Sequence, residues 1–166
     1  MGLREAGVLI LIDNKKRLIL TKRTKKVATH KGQISFPGGK YEEKDNDLLE
    51  TAIREAEEEI GIPKRYIKII GRLGYSYISP RGYIIYAFVG LIDSFRFKKN
   101  EEEVERIIRV PYSFFKRGYV SRHLYKTKTN RKVLLPVYIF GRHRIWGATA
   151  KITSVTVKHL RLRKLK

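Results

Sequence analysis

The chain contains no cysteine, one methionine and one tryptophan. Without a thiol there is no disulfide framework and no thiolate nucleophile. Acidic residues are scarce: 16 Asp+Glu stand against 37 Lys+Arg, a formal net charge of +21. Long hydrophobic runs are missing as well. Arg, Lys, Asp or Asn interrupts each apolar stretch, and none approaches the ~20 residues that a membrane-spanning helix needs. The brief apolar stretch in "MGLREAGVLILIDNKKR" stops at Asp13-Asn14 and has no small-residue cleavage site, so it reads as a strand and not as a signal peptide. Position 6 is Ala where a myristoylation signal carries Ser or Thr. The expectation is a cytoplasmic protein with no membrane partner. Absence of Cys with many Lys, Ile and Glu would suit a thermophile's cytoplasm.

What is present reads as a folded chain. With 166 residues, 42% of them hydrophobic, a single domain over 1–166 can bury a sizeable core. The basic excess suits a polyanionic ligand such as nucleotide, RNA or DNA, or a solvated basic surface. Residues 5–12 and 17–23 read as two strands around a polar turn, 24–33 as a basic loop, and 34–39 as a short strand ending in Pro-Gly-Gly. Further strands are expected at 66–73, 74–79, 83–92 and 106–110, with a turn at 79–82. A short helix is expected after Pro111, a hairpin around "KTNR", and a last helix over 147–162 that runs into the basic tail "RLRKLK". Mixed strands and helices place the fold in the α/β or α+β sandwich class. Tyr75, Tyr77, Tyr83, Tyr86 and Trp146 are read as packing residues, and His123, His143 and His159 as surface residues.

From Asp47 to Ile60 the period changes. Leu49, Ala52, Ile53, Ala56 and Ile60 fall on one helical stripe, with Asp47 and Glu50 as a capping box and Gly61 and Pro63 as the stop. This helix carries "REAEEEIG", four glutamates within five residues of a strongly basic chain. Glu55, Glu58 and Glu59 are related as i, i+3 and i+4, so they share a face beside the apolar stripe. Each like-charged pair costs roughly 0.2–0.5 kcal/mol, and the last turn of a helix disfavours anions further. A bound cation answers that cost. Three converging carboxylates make a hard-oxygen site suited to Mg²⁺ or Mn²⁺, which bridge substrate phosphates. A solvated acidic face is the other reading of the same spacing. The glycines of "FPGG" allow a close approach or offer a free carbonyl to the site.

These residues resemble a known motif. "GKYEEKDNDLLETAIREAEEEIGI" is similar to the Nudix box, G-x5-E-x7-R-E-U-x-E-E-x-G-U, where U is aliphatic. The second half fits through Arg54, Glu55, Glu58, Glu59, Gly61 and Ile62. The first half departs, with Asp45 at the glutamate position and eight residues before Arg54. The upstream stretch "LILTKRTKKVATHKGQISFPGG" and the later "RIWGATA" resemble the coenzyme A diphosphatase branch of the Nudix hydrolases. The resemblance implies an α/β/α sandwich with a mixed central sheet. It implies metal-dependent hydrolysis of a nucleoside diphosphate derivative, coenzyme A in the favoured case, giving 3′,5′-ADP and 4′-phosphopantetheine. Glu55, Glu58 and Glu59 would bind Mg²⁺ or Mn²⁺, Gly39 would lend its carbonyl, and Arg54 would orient a glutamate. A carboxylate would take the proton of the attacking water, with Glu55 and Glu103 as the candidate bases. Lys22, Arg23, His30, Lys31 and Gln33 would contact the substrate. ADP-ribose, dinucleoside polyphosphates, nucleoside triphosphates or capped RNA are alternative substrates. An RNA-binding module using the basic surface, and a homodimer, are further possibilities.

Overall fold

The computed structural model describes residues 4–26, 31–79, 82–119, 121–126, 130 and 132–160. His30 and the tail from 161 lie outside them. The chain runs β1 (Arg4–Asp13), β2 (Arg17–Arg23), β3 (Ile34–Ser35), β4 (Gly38–Lys40), α1 (Leu48–Ile60), β5 (Lys68–Ile78), β6 (Tyr83–Ile92), β7 (Val104–Pro111), α2 (Tyr112–Lys116), β8 (Ser121–Lys126), β9 (Lys132–Phe140), β10 (His143–Ile145) and α3 (Gly147–His159). A one-turn 3-10 helix over Lys64–Tyr66 joins α1 to β5.

β1 and β6 form a parallel pair through ten residues, Arg4↔Tyr83 to Asp13↔Ile92. The other pairings in the described residues are antiparallel, so the seven-stranded sheet is mixed. β2 pairs with β7 along its length, and with β1 and then β3 on its other edge. β8, β9 and β10 make a second, three-stranded antiparallel sheet.

Alternation along the strands sorts the core into two halves. Leu9, Leu11 and Ile19 pack with Ala52, Ile53, Ala56 and Ile60 of α1. Ile10, Ile12, Leu18 and Leu20 pack on the opposite face with Ala150 and Ile152 of α3 and with Leu135 and Tyr138 of β9. The sheet therefore carries α1 on one side and α3 on the other, the expected α/β/α sandwich. Asp13, buried at the β1–β2 turn, accepts from the backbone N–H of Arg17 at 2.9 Å and from Arg17 Nε at 2.7 Å, which closes the hairpin.

Several expected boundaries change. The segments 66–73 and 74–79 form one strand, β5, whose pairing with β6 shifts register twice. The expected strand 34–39 divides into β3 and β4, and β4 pairs with β1 instead of continuing along β2. Pro37, which cannot donate to a ladder, stands at the break and gives its carbonyl to Leu9 N–H at 2.8 Å. The capping box is half formed. Asp47 Oδ1 accepts from Glu50 N–H at 2.7 Å, but the Glu50 carboxylate accepts from Asn46 backbone and amide nitrogens instead of from Asp47.

Helix α1 lies close enough on β1 that its first carbonyl meets a glycine. A Cβ on Gly7 would stand 2.2 Å from Leu48 O. The contact is backbone against backbone, so relief requires the helix to move. Gly7→Ala is expected to destabilise the fold by about 2 kcal/mol or more, an overpacking penalty. That corresponds to a fall in Tm of roughly 5 °C in thermal denaturation. An unchanged Tm would contradict the packing described.

Candidate metal and diphosphate site

The order of elements brings three segments together at the C-terminal end of α1. The last carbonyls of that helix have no partner within it, and residues 98–100 supply one. Lys98 N–H donates to Ile60 O at 3.1 Å and Asn100 N–H to Glu59 O at 2.9 Å. Gly61 ends the helix in the left-handed region, at φ 68°, and a Cβ there would stand 2.8 Å from Lys98 O. The following loop is tied to the end of β2, where Thr24 N–H donates to Glu103 O at 2.8 Å. Glu103 is thereby held on the same side as Glu55 and Glu59 and raises the pKa of both. Glu101 and Glu102 are exposed, and their ion pairs with Lys99 and Lys26 are those of a solvated charge run.

Glu59 is 1% exposed. Its Oε1 accepts from Arg23 Nη1 at 3.3 Å. Its Oε2 and the Nε of Arg23 are buried with no hydrogen-bond partner among the described residues. Burial pushes the Glu59 carboxyl up to about 8. Arg23 and the nearby Thr21 hydroxyl act against that rise, while Glu55 and Glu103 add to it.

Glu55 lies against β4. Its carboxylate lies so close to the Gly39 backbone that a Cβ there would stand 2.2 Å from Oε1, so any side chain at 39 would displace the Glu55 carboxylate. Burial raises its pKa too, against the pull of Arg54. Glu58 is half exposed, and Arg54 Nη1 bridges the two acids at 3.1 Å from each.

Arg54 has a second task, which the sequence reading did not assign. Its Nε and Nη2 hold the buried Asp45 carboxylate in a fork, at 2.8 and 3.1 Å, and Asp45 also accepts from Thr51 Oγ1 at 2.8 Å. These bonds hold Asp45 well below the usual carboxylate range and raise Arg54 above its own. The departure from the Nudix pattern therefore preserves an ion pair. The side chain is one methylene shorter, and the extra residue falls before the helix starts at Leu48. The signal for this pairing was Asp45 standing at the pattern's glutamate position, an acid among the four of the loop before α1.

The structure separates the other expected contacts. Lys22 and Arg23 are neighbours on a strand and point to opposite faces. Arg23 turns to Glu59, while Lys22 pairs with Glu105 at 2.7 Å on the α3 side, away from the glutamates. Lys31 is exposed on the loop beyond β2. The Gln33 carbonyl accepts from Arg23 N–H at 2.9 Å and so fixes the end of β2. His143, expected at the surface, is half buried, and its pKa is lowered.

Among the described residues no three acidic or imidazole groups already stand together as a ligand set. Arg54 lies between Glu55 and Glu58 and neutralises them. The donors nevertheless suit a hard divalent ion, because they are carboxylate oxygens and one is buried without a partner. A cleft of about 400 Å³ on the outer flank of α1 shares Arg54 and Glu58 with this site. Among the described residues no helix is long and apolar enough to cross a membrane.

Comparison with known proteins shows the family and the fold. Residues 2–130 match the NUDIX domain family model. The chain is 35% identical over 152 residues to an uncharacterized Nudix hydrolase, NudL, of Photorhabdus laumondii, covering 90% of this chain and 81% of that protein. It is 37% identical over 140 residues to the NudL of Yersinia enterocolitica, covering 81% of this chain and 69% of that protein. The fold is similar to the NUDIX domain of Shewanella oneidensis NrtR, solved with ADP ribose, at TM-score 0.56 and 17% identity over 70% of this chain and 78% of that one. It is also similar to an Ap4A hydrolase of C. elegans, at TM-score 0.55 and 15% identity over 65% of this chain and 80% of that one.

The raised Glu59 pKa has a consequence for stability. In the folded, metal-free protein the carboxyl stays neutral to about pH 8, whereas in the unfolded chain it ionises from its ordinary 4.5. Stability from this difference is complete below pH 4.5 and is lost as pH rises to about 8. With a chelator present, wild-type Tm is expected to fall over that range relative to Glu59→Gln. At pH 8 the variant should melt about 5 °C higher. Equal pH slopes in the two proteins would contradict the burial of an ionisable Glu59.

Proposed function

The chain belongs to the Nudix hydrolase family, whose members act on nucleoside diphosphate derivatives with divalent metal ions, and on that premise we propose that this one hydrolyses the diphosphate of coenzyme A. One observation carries the assignment of the site. Glu59 Oε2 and Arg23 Nε are an acceptor and a donor, both buried and each without a hydrogen-bond partner among the described residues, on two side chains that meet through Arg23 Nη1 and Glu59 Oε1. A cation beside an anionic oxygen satisfies both, and a diphosphate bound with Mg²⁺ or Mn²⁺ is such a ligand.

Glu55, Glu58 and Glu59 hold the ion in this reading, with the Gly39 carbonyl beside them. When bound, a divalent ion would supply positive charge against the diphosphate oxygens. Arg54 keeps Glu55 and Glu58 in place while its other edge is locked on Asp45. Glu55 takes the proton of the attacking water. Its raised pKa makes it a better base than an ordinary surface carboxylate. Glu103, from the opposite loop, is the second candidate for that step. Arg23 stays on the far side of Glu59 and offers its remaining N–H to a phosphate oxygen.

The preference for coenzyme A rests on the stretch from Leu20 to Gly39. Two of its described residues border the glutamates, Arg23 on Glu59 and Gly39 against Glu55. Lys31 and Gln33, from the same stretch, are the further donors proposed for the substrate.

The expected result is Mg²⁺- or Mn²⁺-dependent cleavage of coenzyme A to 3′,5′-ADP and 4′-phosphopantetheine, measured by chromatography against ADP-ribose, diadenosine tetraphosphate and ATP. Glu55→Gln should lower kcat at least ~100-fold, in the range of a lost general base, with Tm unchanged or raised. Fast turnover of ADP-ribose with none of coenzyme A would remove the substrate assignment. Near-normal kcat in the variant would remove Glu55 from the proton transfer.

A further inference from the structure

The opposite face of β2 carries a second concentration of charge that the hydrolytic site does not use. A cleft of about 250 Å³ is lined by Lys22, Gly32, Ile34, Arg142, His143, Arg144 and Trp146. Its cationic groups come from separate parts of the chain: β2, the β9–β10 turn and β10. Arg106 joins them, because it stands directly across the ladder from Lys22 and so shares its face. Lys22 has one carboxylate partner, Glu105. Among the described residues, Arg142 and Arg144 have none, and Arg144 lies over the Trp146 ring at 5.5 Å.

Two titratable groups register the sign of the field there. The His143 pKa is lowered, first by burial and then by Arg142, Arg106 and Lys22. The Glu105 pKa is lowered by its bond from Lys22 and by Arg106 and Lys25. Fold packing does not require several cations to gather round a half-buried imidazole. They repel one another, and a single exposed carboxylate offsets only part of the charge.

We infer that this cleft binds a phosphate monoester, held by Lys22, Arg142 and Arg144 with Trp146 as its wall. A phosphate monoester has the right chemistry. It is a dianion near neutral pH with three acceptor oxygens, and two guanidinium forks and an ammonium supply donors from three directions. The volume lies just below the usual range for sites that enclose a whole small molecule, so it suits a phosphoryl group and its adjoining sugar. Two sources share this chemistry. One is a second, non-scissile phosphate on the substrate, reaching over the end of β2, where Lys22 and Arg23 are adjacent. The other is a separate phosphorylated ligand. The inference stands apart from the hydrolytic reading, since the cleft contains none of the glutamates.

Trp146 is the single tryptophan of the chain and lines this cleft, so fluorescence excited at the red edge, where indole absorbs and tyrosine does not, reports on it alone. The full chain, with a chelator present to keep divalent ions from the glutamates, would be titrated with inorganic phosphate, with adenosine 3′,5′-bisphosphate and with chloride as control. The expected result is a saturable change with both phosphates and not with chloride. Arg142→Gln, which leaves the cation over the indole in place, should weaken it at least 10-fold, and Arg142→Gln/Arg144→Gln further. Absence of a saturable change, an equal response to chloride, or unaltered binding in Arg142→Gln would overturn the inference. Steady-state rates then distinguish the sources. If the substrate's own phosphate is the ligand, the double variant loses kcat/KM on coenzyme A but not on its 3′-dephospho form. If the ligand is separate, both rates are unchanged while the fluorescence response is lost. Because the titration involves no hydrolysis, a failed coenzyme A assay leaves its result intact.

Discussion

A carboxyl group placed where water cannot reach it must either keep its proton or find a positive partner. Glu59 is such a group, on the inner side of α1 under the end of β2. Arg23 meets only one of its oxygens, and at a loose 3.3 Å. Much of the surrounding structure is arranged about this residue. The segment 98–100 caps the carbonyl of Glu59 itself, and the loop that follows brings Glu103 to within electrostatic reach. Replacing Glu59 with an aliphatic residue would relieve the burial cost at once, so its presence is explained by a ligand more readily than by the fold. A divalent ion supplies what Arg23 does not.

The Arg54–Asp45 fork gives the rest of the site its rigidity. It joins the middle of α1 to the loop before it, and Thr51 locks the same carboxylate from within the helix. With one edge of the guanidinium committed, the other edge is aimed at Glu55 and Glu58. A lysine could not divide its donors in this way, because its charge sits at a single point. The close contact of Glu55 with Gly39 completes the chain of restraints from helix to strand β4.

The helix, its stripe and its acids were legible in the sequence because 3.6-residue periodicity leaves a clear local signal. The sandwich was legible through the resemblance, and the alternation of β1 agrees with it: odd residues to α1, even to α3. Other features depend on contacts remote in sequence. The division of β3 from β4 at Pro37 is decided by pairing with β1. Burial of Glu59 arises because β2 and the segment 98–103 pack against that end of α1, and an i, i+4 pattern gives no sign of that. The role of Asp45 was hidden by a motif that specifies glutamate and a fixed spacing, although the chemistry needs only a carboxylate within reach of Arg54. Lys22 and Arg23 are adjacent in the chain, yet the pleat assigns them to different faces. The sheet thus separates one basic dipeptide into a partner for the hydrolytic carboxylates and a member of the cleft lined by Trp146.

The account turns on Glu59 exchanging its proton for a divalent ion. Calorimetric titration of the metal-free protein with Mg²⁺ or Mn²⁺ near pH 7, repeated in buffers of different ionisation enthalpy, counts the protons released on binding. The expected count approaches one per protein for the wild type and falls to near zero in Glu59→Gln, where the ion also binds more weakly. Failure of either ion to bind, or binding with the same proton count in both proteins, would contradict the account.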